Sequence, residues 1–561
     1  MIRKGVPVLL ISLTLNFSVD AIEMADTVLT NAHVYGHQTA NSVAITRGRI
    51  LEIGTSGELQ RLINPSTQIV DLEGGFVMPG FIDNHNHIFE AASQIGGQCE
   101  LSMSATLEQQ IPYLKACRES NDNNNWVIGY GYSIESLLVE GNKRTPLEVI
   151  DTVFPNQPAI IMEQTSHSMW VNTIALQKAG ITIDTPDPKG GKYLKDKQTG
   201  SLNGILLDNA GDMVMELAWN SIKGQFNQSY EGLMAGLYEA RAHGITTIGD
   251  GRLYWRRGWY QVWKEAERRG DITARVSLRP WIYPDESMKN QLSFLEKIWS
   301  PDHTRLLWVD QVKMYSDGII VNTTAKVLNP YLQSYIPTHP NGINYIGPLA
   351  MEKWLEALDN IGYGAHIHAI GDGAIRESLD AIAVVREKGG KKNYTLTHVE
   401  LVNPKDIERF PQLGVTADFQ VGSDYIAYHD HQWAEAFIGA NRARTMMNLR
   451  AFFDSGVNVS LSSDWNVHDI NPLVSIANSV IMGKTGLPSI EDAIDSYTIN
   501  AAQSLGIDDF TGSIEIGKAA DFVVLSQDIS HSSIQEIKQA QVWMTIVDGK
   551  VVFDFNQQHQ N

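Results

Sequence analysis

Cysteine is nearly absent: Cys99 and Cys117 are the only two in 561 residues. Two thiols cannot make a cysteine-type zinc site or a disulfide scaffold. They can pair in an oxidising compartment or stay as buried free thiols, and their spacing does not choose between these. Positive charge is also scarce, with 44 Lys and Arg against 64 Asp and Glu, a net charge of −20 and a pI near 5.2. Nucleic acid and anionic membrane surfaces repel such a chain. Beyond the N-terminus no apolar run is long enough to cross a bilayer. Low-complexity tracts and internal repeats are missing too. What remains is length enough for one large core and a smaller one.

The N-terminus is built differently. Arg3 and Lys4 precede the apolar run Val6–Phe17, followed by Ser18-Val-Asp-Ala21. A basic start, a short apolar run and small residues at a cleavage point after Ala21 describe a secretory signal peptide, residues 1–21. An uncleaved anchor or an ordinary first helix is the alternative. The expectation is export, to the periplasm first.

The stretch Val77-Met-Pro-Gly-Phe-Ile-Asp-Asn-His-Asn-His87 organises the rest. In a β-strand, residues two apart point the same way, so His85 and His87 can face one metal ion. Taken alone, the pair also reads as chance neighbours at a strand end.

From 22 to 75 the chain reads as short strands separated by Gly, Asn and Ser turns, and so does 511–561, where Asp548-Gly549 marks a hairpin. Two strand clusters at opposite ends predict one small β-sandwich built from both termini. Between them, over 76–510, eight apolar strands alternate with helical patterns such as Gly373–Lys388 and Ala434–Ser455. They are the His-x-His strand, 244–250, 272–278, 307–315, 363–368, 394–398, 415–420 and 457–464. This alternation predicts an α/β fold, a (β/α)8 TIM-type barrel with its site at the C-terminal strand ends. His85, His87, Lys313, His368, His398 and Asp464 all fall at such ends. The first and second strands lie about 150 residues apart, too far for one βα unit. The long insertion after strand 1, roughly 90–240, reads as a lid or substrate wall, or equally as a packed subdomain.

Some residue readings stay open at this level. His366 and His368 share a strand face, and each single histidine also reads as a hydrogen-bonded structural group. Lys313 can pair with Asp317. Asp464, at a strand end, needs a cation or several donors if buried.

Together these residues supply His-x-His, a lysine, two histidines and an aspartate, on strands one, one, four, five, six and eight. The set resembles the amidohydrolase superfamily, and most closely its amidohydrolase-3 branch, which includes N-substituted formamide deformylases. The resemblance spans about 26–553 and rests on strings such as His368-Ala-Ile-Gly-Asp372, Ser463-Asp-Trp465 and Gly512-Ser-Ile-Glu-Ile-Gly-Lys-Ala-Ala-Asp521. It implies a divalent metal, zinc first, as one or two ions. His85 and His87 would hold one ion, a carboxylated Lys313 would bridge, and His368 (preferred over His366) with His398 would hold the second. Asp464 would be both ligand and acid/base, and His167 and Trp170 in the insert would contact substrate. Asn466 stands where the branch often has Pro, and Thr397 where Glu is usual.

The expected activity is hydrolysis of a non-peptide C–N bond in a small amide, formamide or cyclic amide. A deaminase or an ester or lactone hydrolase on the same barrel is the alternative, and a metal-free binding module a third reading. The expected partner is a small-molecule substrate, with no nucleic acid and no membrane beyond the signal peptide. A homo-oligomer stays open.

Overall fold

The computed structural model describes residues 23–92, 99–120, 125–424, 426 and 431–558. The expected leader and its cleavage point after Ala21 lie outside these residues. Among the described residues, no helix is long and apolar enough to cross a membrane.

Both ends of the chain form sheet. Strands Thr27–Thr30, Ser42–Thr46, Arg49–Gly54 and Gln68–Asp71 make one four-stranded sheet. A five-stranded sheet joins His33–Val34 and Phe76–Pro79 to the C-terminal strands Phe522–Leu525, Val542–Val547 and Lys550–Asp554. The two sheets share one apolar cluster, in which Leu29, Val43 and Ile45 meet Val77, Phe522, Val524 and Ile546. Asp548 and Gly549 turn the last hairpin at φ of 52° and 72°, the left-handed values a two-residue hairpin turn requires.

The middle of the chain is parallel. One sheet runs Phe81–Asn86, Ile245–Asp250, Arg275–Ser277 and Leu307–Trp308. The other runs Gln311–Tyr315, Gly364–Ala369, Tyr394–His398, Val415–Phe419 and Val459–Leu461. Two bridges join the sheets. Trp281 bridges Lys313 in parallel, with Ile282 N donating to Lys313 O at 3.0 Å. Asn86 bridges Trp465, with Asp464 N donating to His85 O at 2.8 Å and His87 N to Trp465 O at 2.9 Å.

Two sequence expectations change here. The stretch 307–315, read as one strand, is two strands lying in different sheets. Val309 breaks it by exchanging both backbone hydrogen bonds with Ser300 (2.8 and 3.0 Å), and Asp310 holds His303 Nε2 at 2.7 Å. The pattern Ala434–Ser455 is not one helix. It is short turns of helix, Glu435–Ile438, Ala440–Ala443 and Leu449–Asp454, interrupted by Gly439 at φ 82° and Met447 at φ 49°.

The segment after the first parallel strand has its own five-stranded sheet, in the order Gly191–Lys195, Leu202–Asp208, Ser168–Val171, Ala159–Glu163, Val127–Tyr132. Alternation gives it two apolar faces. Trp170, Ile205 and Leu207 pack into one cluster, and Met169, Val171 and Leu206 into the other. Cys99 and Cys117 are joined as a disulfide beside the first of these.

Candidate functional site

The ends of the parallel strands bring imidazoles and a carboxylate to one point. His85 and His87 come from the same strand end, two residues apart, and face the same way. The bond from Asp464 N to His85 O lays the Asp464 carboxylate over them. Its Oδ1 lies 3.1 Å from His85 Nε2 and 2.8 Å from His87 Nε2, and the two Nε2 atoms are 3.1 Å apart. His398 Nδ1 stands 3.9 Å from Asp464 Oδ2. One ligand atom from each of His85, His398 and Asp464 lies within 4.8 Å of the others. His398 and Asp464 hold φ of 74° and 51°, left-handed values uncommon for such residues and concentrated at functional sites.

Beneath them lies a second layer. His366 Nε2 sits 2.7 Å from His85 Nδ1, which leaves His85 Nε2 directed at Asp464. Lys313 is fully buried, its Nζ 3.3 and 3.4 Å from the two nitrogens of His85. Among the described residues no carboxylate pairs with it. Asp317 is not its partner, since it accepts the amides of Lys326, Ile370 and Gly371 instead. Asp418, near His85 and His366, is saturated by Ser460, Ser462, Thr397 and Gln420, so it serves as a fixed hydrogen-bonding carboxylate.

His368 is oriented by the backbone. Its Nε2 donates to Gly318 O at 3.0 Å, and its Nδ1 is buried without a partner. Gly318 has to be glycine, because a Cβ there would lie 2.0 Å from Thr324 Oγ1 and 2.8 Å from Asp208 Oδ2. The His368 ring stacks on Tyr315 with centroids 4.1 Å apart and sits 4.5 Å from the His398 ring.

Burial pushes His85, His366, His368 and His398 well below the ordinary imidazole value, so these rings are neutral and keep ligating lone pairs. Burial likewise drives the Lys313 amine well below its usual range.

This donor set fits a divalent cation. Neutral imidazoles and one carboxylate converge, His87 Nδ1 and His368 Nδ1 are buried without partners, and the second nitrogens of His85 and His368 are occupied by His366 and a carbonyl. Oriented imidazoles of this kind are what a metal centre requires.

The centre opens into a cavity of about 210 Å³. His368, His398 and Asp464 stand at its floor, while Ile319, Ile320, Ile370, Met447 and Trp433 give it apolar walls. The insert adds Glu135, Glu163 and His167. Burial raises Glu163 and Glu400 to about 7 and raises Glu135 as well. No lysine or arginine lines the cavity among the described residues.

His167 therefore lies where the insert meets the strand ends, but Trp170 does not. Trp170 is fully buried in the insert core, edge-on to Tyr132, with Nε1 donating to Pro146 O at 2.9 Å. It lies three positions after His167, so strand alternation turns it to the opposite face. Glu163, Asp208 and Asp418 escaped the sequence reading; each is a lone carboxylate in an apolar strand, and that was the available signal.

Such a centre, set in this cavity, defines the class as a metal-dependent hydrolase. The amidohydrolase family model matches residues 68–553, and the chain belongs to that family of hydrolases acting on carbon–nitrogen bonds. The chain is 28% identical to Protein LONG AFTER FAR-RED 3 of Arabidopsis thaliana over 94% of its length and 92% of the relative's. It is 26% identical to an N-substituted formamide deformylase of Arthrobacter pascens, over 95% of its length and 99% of that enzyme's. An uncharacterized metal-dependent hydrolase of Pyrococcus horikoshii shares the fold at TM-score 0.69 and 20% identity, covering 91% of this chain and 99% of that one.

Proposed function

We propose that this protein hydrolyses the C–N bond of a small non-peptide amide, with a formamide as the first candidate. The observation that carries the reading is the convergence of His85, His87 and Asp464 on one point at the foot of the cavity. The parallel strands, joined by two bridges, support a (β/α)8 barrel, and the shared cluster of the terminal sheets supports a β-sandwich from both ends. His85, His87 and Asp464 would hold one ion, and His368 and His398 a second. Lys313, buried and with no carboxylate paired to it among the described residues, would suit a carbamate that bridges them. A divalent ion there, zinc first, supplies a water of pKa near ~7 and an electrophile for the carbonyl.

Asp464 accepts the attacking water's proton and passes it to the leaving nitrogen. Tyr315 and Gly318 keep the His368 ring in place. The cavity is smaller than the ~300–1,000 Å³ of drug-sized sites. With carboxylates and, among the described residues, no lysine or arginine in its lining, it favours a neutral or basic amide over one carrying a carboxylate. The relative named as an N-substituted formamide deformylase supports this substrate class. The Cys99–Cys117 disulfide suits an oxidising compartment and so supports export of the chain.

Elemental mass spectrometry of wild type and Lys313→Ala, with turnover of a panel of N-substituted amides, tests this. About two ions per chain falling to one or none on substitution, with amide turnover in wild type, is the expected result. Equal metal in both proteins removes the bridging role. No metal in either overturns the proposal.

A further inference from the structure

The cavity wall supplied by the insert carries one histidine whose hydrogen bonding is fixed on one side. Ser168 pairs with Leu207 in adjacent antiparallel strands, and the next pair, His167 and Asp208, is closed by Asp208 N donating to His167 O at 2.8 Å. Ser166 and Asp208 take φ of 64° and 50°, strained values for these residues. The two turns aim His167 Nδ1 at Asp208 Oδ1, 2.7 Å away, with both side chains buried. The imidazole lies flat against Tyr315, at 15° and 5.3 Å, and its centroid is 5.0 Å from the His368 ring.

A carboxylate offers only lone pairs, so the proton between the two groups belongs to Nδ1. A neutral imidazole then carries its remaining lone pair on Nε2. His167 lines the cavity, and no protein group among the described residues is hydrogen-bonded to that nitrogen. The result is an acceptor with a set tautomer, one ring away from the strand-end histidines.

We propose that His167, held in this tautomer by Asp208, accepts a hydrogen bond from the N–H of the substrate's scissile amide. The substrate class is then secondary amides, and N,N-disubstituted amides and esters are poor substrates. The inference rests on the C–N hydrolase reading and names the substrate of that site. The acceptor stands beside His368, at the reacting end of the cavity. A tertiary amide places a carbon against it and an ester places nothing, and either leaves a buried acceptor unpaired. His167 is thus a specificity-determining contact, and Asp208 is the residue that positions it.

The test compares kcat/KM for N-butylformamide and N-butyl-N-methylformamide. Wild type is expected to prefer the N–H compound by roughly ten- to a hundred-fold, the effect of one unpaired buried acceptor. His167→Phe keeps the ring against Tyr315 and should bring the ratio close to one. Asp208→Asn donates to Nδ1, moves the proton to Nε2 and should erase the preference as well. Long-range ¹⁵N–¹H spectra read the tautomer without reference to activity: Nδ1–H in wild type, Nε2–H in Asp208→Asn. Equal rates on both formamides in wild type, a ratio that survives in either folded variant, or an Nε2–H tautomer in wild type overturns the proposal. Should neither variant fold, the wild-type ratio and tautomer decide. Turnover of neither formamide by metal-loaded wild type sinks the C–N hydrolase reading, and this inference with it.

Discussion

Glu163 closes the apolar strand Ala159–Glu163 and is 1% exposed, so its carboxyl is removed from water. Burial raises it from 4.5 to about 7, although Thr165 donates to it and lowers it somewhat. Because the folded value lies above the unfolded one, folding favours the protonated form. The stability linked to this group is complete below about pH 4.5 and is lost as pH rises through about 7. The gap between the two values amounts to about 3 kcal/mol at 1.36 kcal/mol per pKa unit, and about 2–3 kcal/mol of it falls between pH 5 and 8. Glu163→Gln keeps the shape and the bond from Thr165 but removes the ionisation. Urea unfolding of both proteins at pH 5 and pH 8 isolates the group as a double difference. The variant should gain on wild type by about 2–3 kcal/mol between the two conditions. A double difference within about 0.5 kcal/mol of zero would show that Glu163 is hydrated or paired in solution and would refute the reasoning.

Asp464→Asn should lower kcat on any amide the wild type cleaves by roughly 10²–10⁴-fold, the usual contribution of a positioned acid/base. Circular dichroism should show the fold unchanged, and near-wild-type kcat would remove Asp464 from the chemistry. Arg275 ties the parallel sheet to the terminal sheet through Asp521 at 2.6 Å and Asp548 at 3.0 Å, with Arg275 and Asp521 each 1% exposed. Arg275→Met leaves the buried Asp521 without its cation, holding only the bonds from Thr511 Oγ1 and Asp548 N, and should cost about 3–5 kcal/mol in denaturant unfolding; a loss below about 1 kcal/mol would contradict that.

How far the sequence carries depends on whether a feature is set locally. His85 and His87 were readable as a pair because two-residue spacing on a strand is a local rule, and the structure brings their Nε2 atoms to 3.1 Å. Strands at both ends were readable from alternation and the Asp548-Gly549 turn. The break at Val309 was not, since it depends on pairing with Ser300. The Ala434–Ser455 pattern kept helical spacing, but turns at Gly439 and Met447 overrode it. Trp170 stands close to His167 in sequence, but a three-position step along a strand reverses the face, which the motif alone does not reveal. The His167–Asp208 pair was beyond reach, because it needs the register of two strands about forty residues apart.

Four residues at and beside the site share one physical trait. His398, Asp464, Asp208 and Ser166 all adopt left-handed backbone at φ of 50–74° and none is glycine; His398 and Asp464 line the cavity, and Ser166 and Asp208 hold His167, which lines it too. Each such residue costs on the order of 1–3 kcal/mol, and the surrounding packing must offset that cost. The offset is visible in the hydrogen bonds of Asp464 N to His85 O and of Asp208 N to His167 O. Local preference would relax these turns and rotate the side chains away from the cavity. Tertiary pairing prevents this, so the donor geometry comes from the rigid sheets, and these residues only transmit it.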